Sequence, residues 1–232
     1  MEKIRVTQAG GQAPYISYLF GKMTDKFSFL PSSPILKNSG DRTTLILTAE
    51  GKYCPYIRKY TEENIAEVIA IGYKYRYFKE ILFLPFLNEA ERELLLVSLV
   101  SADLAEDREY IRKRLKGTDE YCIDGVYNFR LGDLKRRWHK ITEYIPAEFN
   151  SSALESFTEF LVGEGIGKVF LKEGILYDED YRPLKRSELL GKASPIHEIL
   201  LSGAESVYCF GAPDAESEAF LKKYYKEKAV FC

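Results

Sequence analysis

Apolar and polar positions are patterned differently in three parts of this chain. In the first part, Ile4 and Val6 alternate with polar neighbours, the period-two pattern of a short strand. Gly10-Gly11 breaks it, and Pro14 to Met23 then reads as a helix with Ile16, Leu19, Phe20 and Met23 on one face. Pro31 to Asp41 mixes Pro, Ser, Asn and Gly and predicts a loop. Thr43 to Thr48, β-branched and apolar, predicts a strand. A turn at Glu50-Gly51 leads to a second extended segment near Tyr53 to Ile57.

The middle part carries helical spacing. Thr61 before Glu62 and Glu63 offers a capping hydroxyl and two carboxylates near the positive end of a helix dipole, predicting a helix to about Leu84. Asn88 with Glu91 is spaced as a capping box for a helix through about Glu106. A shorter helix, Arg108 to Leu115, is expected to stop at Gly117. From Ile123 to Ile145, Val126, Leu134, Trp138, Ile141 and Ile145 fall on one helical face, with Lys135, Arg136, His139 and Lys140 on the other.

In the last part, Ser152 and Glu155 are spaced to start a helix through Leu161. Gly163, Gly165 and Gly167 lead into a strand at Lys168 to Leu171, with a hairpin partner at Ile175 to Tyr177. Ser194-Pro195 caps a helix to Leu201, stopped by Gly203. Val207 to Phe210, Asp214 to Lys226 and Ala229 to Phe231 then read as strand, helix, strand, a parallel crossover that sets Cys209 and Cys232 on neighbouring strands. The predicted class is α+β: a central helical bundle, a small N-terminal β element and a small C-terminal mixed α/β lobe. The expected segments are 1–60, 61–149 and 150–232, or one continuous domain.

Composition narrows the function classes. The chain is 46% hydrophobic, which suffices for a folded core and excludes a disordered one. Its 33 basic and 35 acidic residues leave a net charge of −2, so no bulk attraction to phosphate backbones or anionic lipid arises. The greasiest runs, Ile81 to Leu87 and Leu94 to Val100, fall far short of the roughly 20 residues needed to span a bilayer. With no export signal and four scattered cysteines, the expectation is a soluble cytoplasmic protein with reduced thiols.

Candidate chemistry is sparse. Gly163 to Gly167 has the glycines of a phosphate loop but the wrong order, helix before and strand after, so it reads as a helix stop and turn. Asp178-Glu179-Asp180 lacks the spacing of a calcium loop and reads as a solvated turn. His139 and His197 have no Cys or carboxylate at metal-ligand spacing. No catalytic residue, metal or cofactor is therefore expected. The strongest contact candidate is the basic run Arg130, Lys135, Arg136, Arg137 and Lys140 with Trp138 and Tyr127 beside it. It reads either as a surface for a partner or a nucleic acid, or as the wet face of an amphipathic helix with Trp138 buried. Cys209, at the carboxyl end of a parallel strand, is the candidate reactive thiol of a small α/β enzyme or ligand-binding lobe.

Three stretches resemble one family. Asn64 to Ala70, Ile123 to Leu131 with its Phe129-Arg130-Leu131 ending, and the tail of helix, short hydrophobic strand and Cys232 are similar to the YtxC-like proteins, linked to sporulation in endospore-forming bacteria. The likeness spans roughly residues 60 to 232. Tails in that family carry further cysteines, so no role for a terminal cysteine cluster is carried over. The resemblance implies a cytoplasmic, sporulation-associated protein, with no catalytic residues transferred; the reading favoured beside it is a protein that works through contacts with a protein partner.

Overall fold

The computed structural model describes residues 2–10, 13–28, 33–116, 118 and 120–232. The expected break at Gly11, the loop start at Pro31 and the helix stop at Gly117 lie outside them. In chain order the elements are β1 (Glu2–Ala9), α1 (Pro14–Lys26), β2 (Ile35–Ser39), β3 (Arg42–Ala49), α2 (Cys54–Val68), a π-helical turn (Ile69–Tyr73), α3 (Lys74–Ile81), α4 (Glu89–Ser101) and α5 (Leu104–Leu115). Then follow β4 (Glu120–Cys122), α6 (Ile123–Arg130), α7 (Gly132–Glu143), α8 (Ser151–Gly163), β5 (Lys168–Lys172), β6 (Ile175–Tyr177) and a 3-10 turn (Arg186–Leu190). The chain ends with α9 (Pro195–Ser202), β7 (Ser206–Phe210), α10 (Ala215–Phe220), a second π-helical turn (Leu221–Tyr225) and β8 (Ala229–Phe231). The fold is α+β, with two four-stranded mixed sheets among the described residues.

Contacts gather the chain into two units, residues 1–74 with 105–140, and 75–104 with 141–232. These cut across the three segments expected from sequence, because the middle helices divide their contacts between the two units. α2 packs with α1 in the first unit, whereas α4 packs on α8 and α9 in the second.

In the first unit the strand order is β2-β3-β1-β4, antiparallel except for the parallel pair β1 and β4. Ile4 pairs with Leu47 and Val6 with Leu45, and all four are buried. α1 packs on β1 and β3 with Ile16, Leu19 and Met23 buried, as the spacing predicts. Two expectations are corrected here. The segment after Ser33 is not all loop, because Ile35–Ser39 pairs with β3 as a fully exposed edge strand whose polar composition hides it. The segment from Tyr53 to Ile57 is not extended but opens α2, where Pro55 is tolerated because a first-turn residue needs no N–H partner. Thr61 is consequently no cap. It is buried in mid-helix, its hydroxyl donating to the Ile57 carbonyl at 2.7 Å. From Asn64 to Tyr75 this helix is buried on every side, and its polar members Asn64, Glu67 and Lys74 each have a hydrogen-bond or ion-pair partner.

In the second unit the Asn88 and Glu91 capping box forms, and Ser194 caps α9. α4 stops at Ser101 rather than near Glu106. α8 starts two residues earlier than the Ser152 spacing suggests, because Asn150 is the side chain that accepts the Ala153 N–H. The strand order is β6-β5-β7-β8, with β5, β7 and β8 parallel and β6 antiparallel on the edge. Val169, Leu171, Val207 and Cys209 are buried on one face. The Cys232 N–H donates to the Cys209 carbonyl at 3.0 Å, so Cys232, the residue after β8, lies beside Cys209 of β7.

Candidate functional site

The basic run lies on α6 and α7 of the first unit, and its shape follows from one interruption. The expected single helix breaks at Leu131, whose backbone leaves the helical region (φ −116°, ψ 30°) before Gly132 restarts it. Asp124 anchors the start of α6, accepting the Ala9 N–H at 2.8 Å and the Tyr73 hydroxyl at 2.6 Å. Val126, Leu131 and Leu134 face inward and are buried. Phe129 and Arg130 are therefore left on the outside of the break. The Phe129 ring is 87% exposed. Arg130 donates from Nη1 to the carbonyl of Arg114 at 3.4 Å, close to the negative end of the α5 dipole.

Around them stand further cations. Lys135 is half-buried, its ammonium 5.0 Å over the Tyr127 ring and donating to the Asn128 carbonyl at 3.4 Å. Arg136 is tied to the Asp133 carboxylate, and Lys140 is exposed. Among the described residues Arg114, Lys116, Arg130, Lys135 and Lys140 have no carboxylate within ion-pair distance. Their charge is directed to solvent.

Trp138 does not belong to that surface, which corrects the expectation that it contacts a ligand. Its ring is fully buried, and its Nε1–H donates to Asp107 Oδ2 at 2.8 Å. The same oxygen lies 2.9 Å from the ammonium of Lys74, itself fully buried. Arg137 approaches the other carboxylate oxygen at 3.8 Å. A buried cation needs a partner of this kind, so Lys74 and Asp107 form an interior ion pair that fixes Trp138 in the core. Tyr127 continues the packing, 6.3 Å from Trp138 and 4.7 Å from Tyr73 between ring centres. Sequence reasoning missed the pair. Its signal was a lysine following the uncharged, largely apolar run from Val68 to Tyr73.

The other candidates settle as local structure. Cys209 is fully buried, and burial pushes its thiol up from the ordinary value, which corrects the expectation of an activated thiolate. Cys54 donates its thiol hydrogen to Glu2 Oε2 at 2.6 Å in a cleft that also holds Arg58, and burial raises it too. Under iodoacetamide at neutral pH, Cys232 should be alkylated first, with Cys209 and Cys54 reacting only on unfolding. Peptide mass spectrometry reads the order, and rapid modification of Cys209 in native protein contradicts its packing. Gly165 sits where a Cβ would come within 2.7 Å of the Ala204 carbonyl oxygen, and Gly167 has φ +74°, so this glycine run is a close-packed turn. Asp178 Oδ1 accepts the N–H groups of Asp180 and Arg182, making a turn of the acidic stretch. His197 is half-buried, and burial lowers its pKa. Among the described residues no group of three His, Cys, Asp or Glu is placed to hold a metal ion, and no helix is long and apolar enough to cross a membrane.

Comparison with family models, with curated proteins and with solved structures finds no match to this chain.

Proposed function

We propose that this is a sporulation-associated protein that acts by binding an acidic protein partner through the Phe129-Arg130 surface, and not by catalysis. The sporulation link rests on the resemblance of Asn64 to Ala70, Ile123 to Leu131 and the tail to the YtxC-like proteins. The observation that carries the binding reading is the exposed Phe129 ring beside Arg130, whose guanidinium reaches a backbone carbonyl and no carboxylate. An exposed aromatic side chain next to an arginine is the composition of an interface hot spot, an apolar anchor with a charged donor that selects an acidic complement. Lys116, Lys135 and Lys140 extend the same sign of charge and steer encounter. A protein partner is favoured over nucleic acid because Trp138, the ring expected to stack a base, is inside the core.

The test is a Phe129→Ser, Arg130→Glu double variant in a spore-forming source strain. Both side chains are at the surface, so the variant should melt within a few degrees of the parent. Spore yield is expected to fall at least tenfold, matching a deletion. A deletion strain that sporulates normally removes the sporulation reading, and a double variant that sporulates normally removes this surface. Retention on heparin that is abolished by Arg130→Glu and falls steeply with salt would move the reading to a polyanion.

A further inference from the structure

Among the described residues, the helices that follow the strands of the C-terminal sheet gather on one of its faces. β5 is followed across the sheet by β7 and then β8, all parallel, so both connections step in the same direction. Right-handed crossovers of that kind put their helices on the same side. α9 packs on β5 and also on α10, consistent with that placement. Parallel strands are ordinarily covered on both faces, so the opposite face is an exception.

That open face has its own chemistry. By strand alternation and register it carries Lys168, Phe170 and Lys172 from β5 and Tyr208 and Phe210 from β7, with Phe170 opposite Tyr208 and Lys172 opposite Phe210, and Phe170 itself is buried. Tyr181 lies over Phe170 with the two rings nearly parallel, 8° apart at 4.7 Å. It is held there at a backbone cost, since Tyr181 has φ +57°, a region that side-chain-bearing residues rarely occupy. Two Asp178-centred hydrogen bonds and the Tyr181 N–H to Asp178 carbonyl bond fix the turn. The outer surface of Tyr181 is open, at 65% exposure, and Phe210 is 42% exposed.

The strand residues of this face carry positive charge only. Lys168 and Lys172 have no carboxylate within ion-pair distance among the described residues. No carboxylate stands among the strand residues of this face. Three acids stand at its rim: Asp178 and Glu179, which accept backbone N–H groups and keep their charge, and Asp180, which pairs with Arg182.

We propose that this face binds single-stranded nucleic acid, with bases stacked on Tyr181 and Phe210 and the phosphates following Lys168 and Lys172. Aromatic rings on adjacent strands accept any base by its π-face, and unpaired lysines on the same face complement a phosphate backbone. A duplex hides its base faces and so lacks the first of these contacts. The inference uses residues separate from Phe129 and Arg130 and stands or falls independently of the partner reading.

The probe is a fluorescein-labelled oligouridine of about ten nucleotides, titrated with the full chain at about 50 mM salt and followed by anisotropy. Binding is expected, weakening as salt rises, with a duplex of equal length bound at least tenfold more weakly. A Tyr181→Ala, Phe210→Ala variant should lose at least tenfold in affinity at an unchanged melting temperature. Lys168→Glu, Lys172→Glu supplies a second variant that removes no ring and should lose as much. Arg130→Glu should bind like the parent. Absence of binding, equal binding of the duplex, or full affinity in both variants overturns the proposal. So does self-association, seen by light scattering, that Phe210→Ala abolishes, because the face is then covered by a second copy.

Discussion

Asp107→Ala lowers the unfolding free energy by about 3–5 kcal/mol, the expected cost of removing one partner from a buried ion pair. The carboxylate does two things at once, answering the fully buried Lys74 ammonium at 2.9 Å and accepting the Trp138 indole N–H at 2.8 Å. Its loss leaves a cation in the interior without the charge that compensated it, and that desolvation dominates over any packing term from the smaller side chain. Lys74→Met has the mirror effect, stranding the carboxylate. The decisive comparison is the pair Lys74→Met, Asp107→Leu, which removes both charges together. It should recover most of the loss and lie within about 2 kcal/mol of the parent, the remainder being the unmet indole N–H. Urea midpoints of the three variants measure this. If the double variant is as unstable as the sum of the single ones, the two side chains are not coupled and the pair is not what holds Trp138.

That pair also marks the limit of what sequence could disclose. Local signals were read well: the Asn88 and Glu91 box, the Ser194 cap, the Gly203 stop and the hairpin of β5 and β6 all depend on residues a few positions apart. Ile35–Ser39 was not legible, because an edge strand exposed on every residue carries no alternation and borrows its order from β3. The opening of α2 was misread because Pro55 and two aromatics suggest extension, while the helix is set by burial further along. The basic surface was half legible. Charge at Arg130, Lys135, Arg136 and Lys140 could be counted, but the fate of Trp138 depends on Lys74 and Asp107, which lie 64 and 31 positions away along the chain. The amphipathic pattern placed Trp138 on the apolar face, and the fold agrees with that reading over the functional one. The open sheet face was invisible for a related reason, since alternation shows which residues share a face but not whether anything lies on it.

Glu198→Ala should cost about 2–4 kcal/mol, the second-largest effect expected, from a residue with no sequence signature of its own. Glu198 is 3% exposed, yet each of its oxygens is used. Oε1 accepts the Arg186 N–H at 2.9 Å and Oε2 the Ser187 N–H at 2.7 Å, which ties the 3-10 turn to the first turn of α9. These are charge-assisted bonds to backbone donors that otherwise stay unmet in a buried position. The carboxylate also lies in the first turn of α9, where the helix dipole favours a negative charge. Glu198→Gln separates the contributions. Its amide keeps the shape but offers a donor where one of the two N–H groups needs an acceptor, so about half of the loss or more should remain. Arg186 donates from Nη1 to the Leu201 carbonyl, so slackening this turn should also speed amide exchange at the end of α9. A Gln variant as stable as the parent, with α9 exchange unchanged, would show that one hydrogen bond suffices and that the charge on Glu198 is incidental.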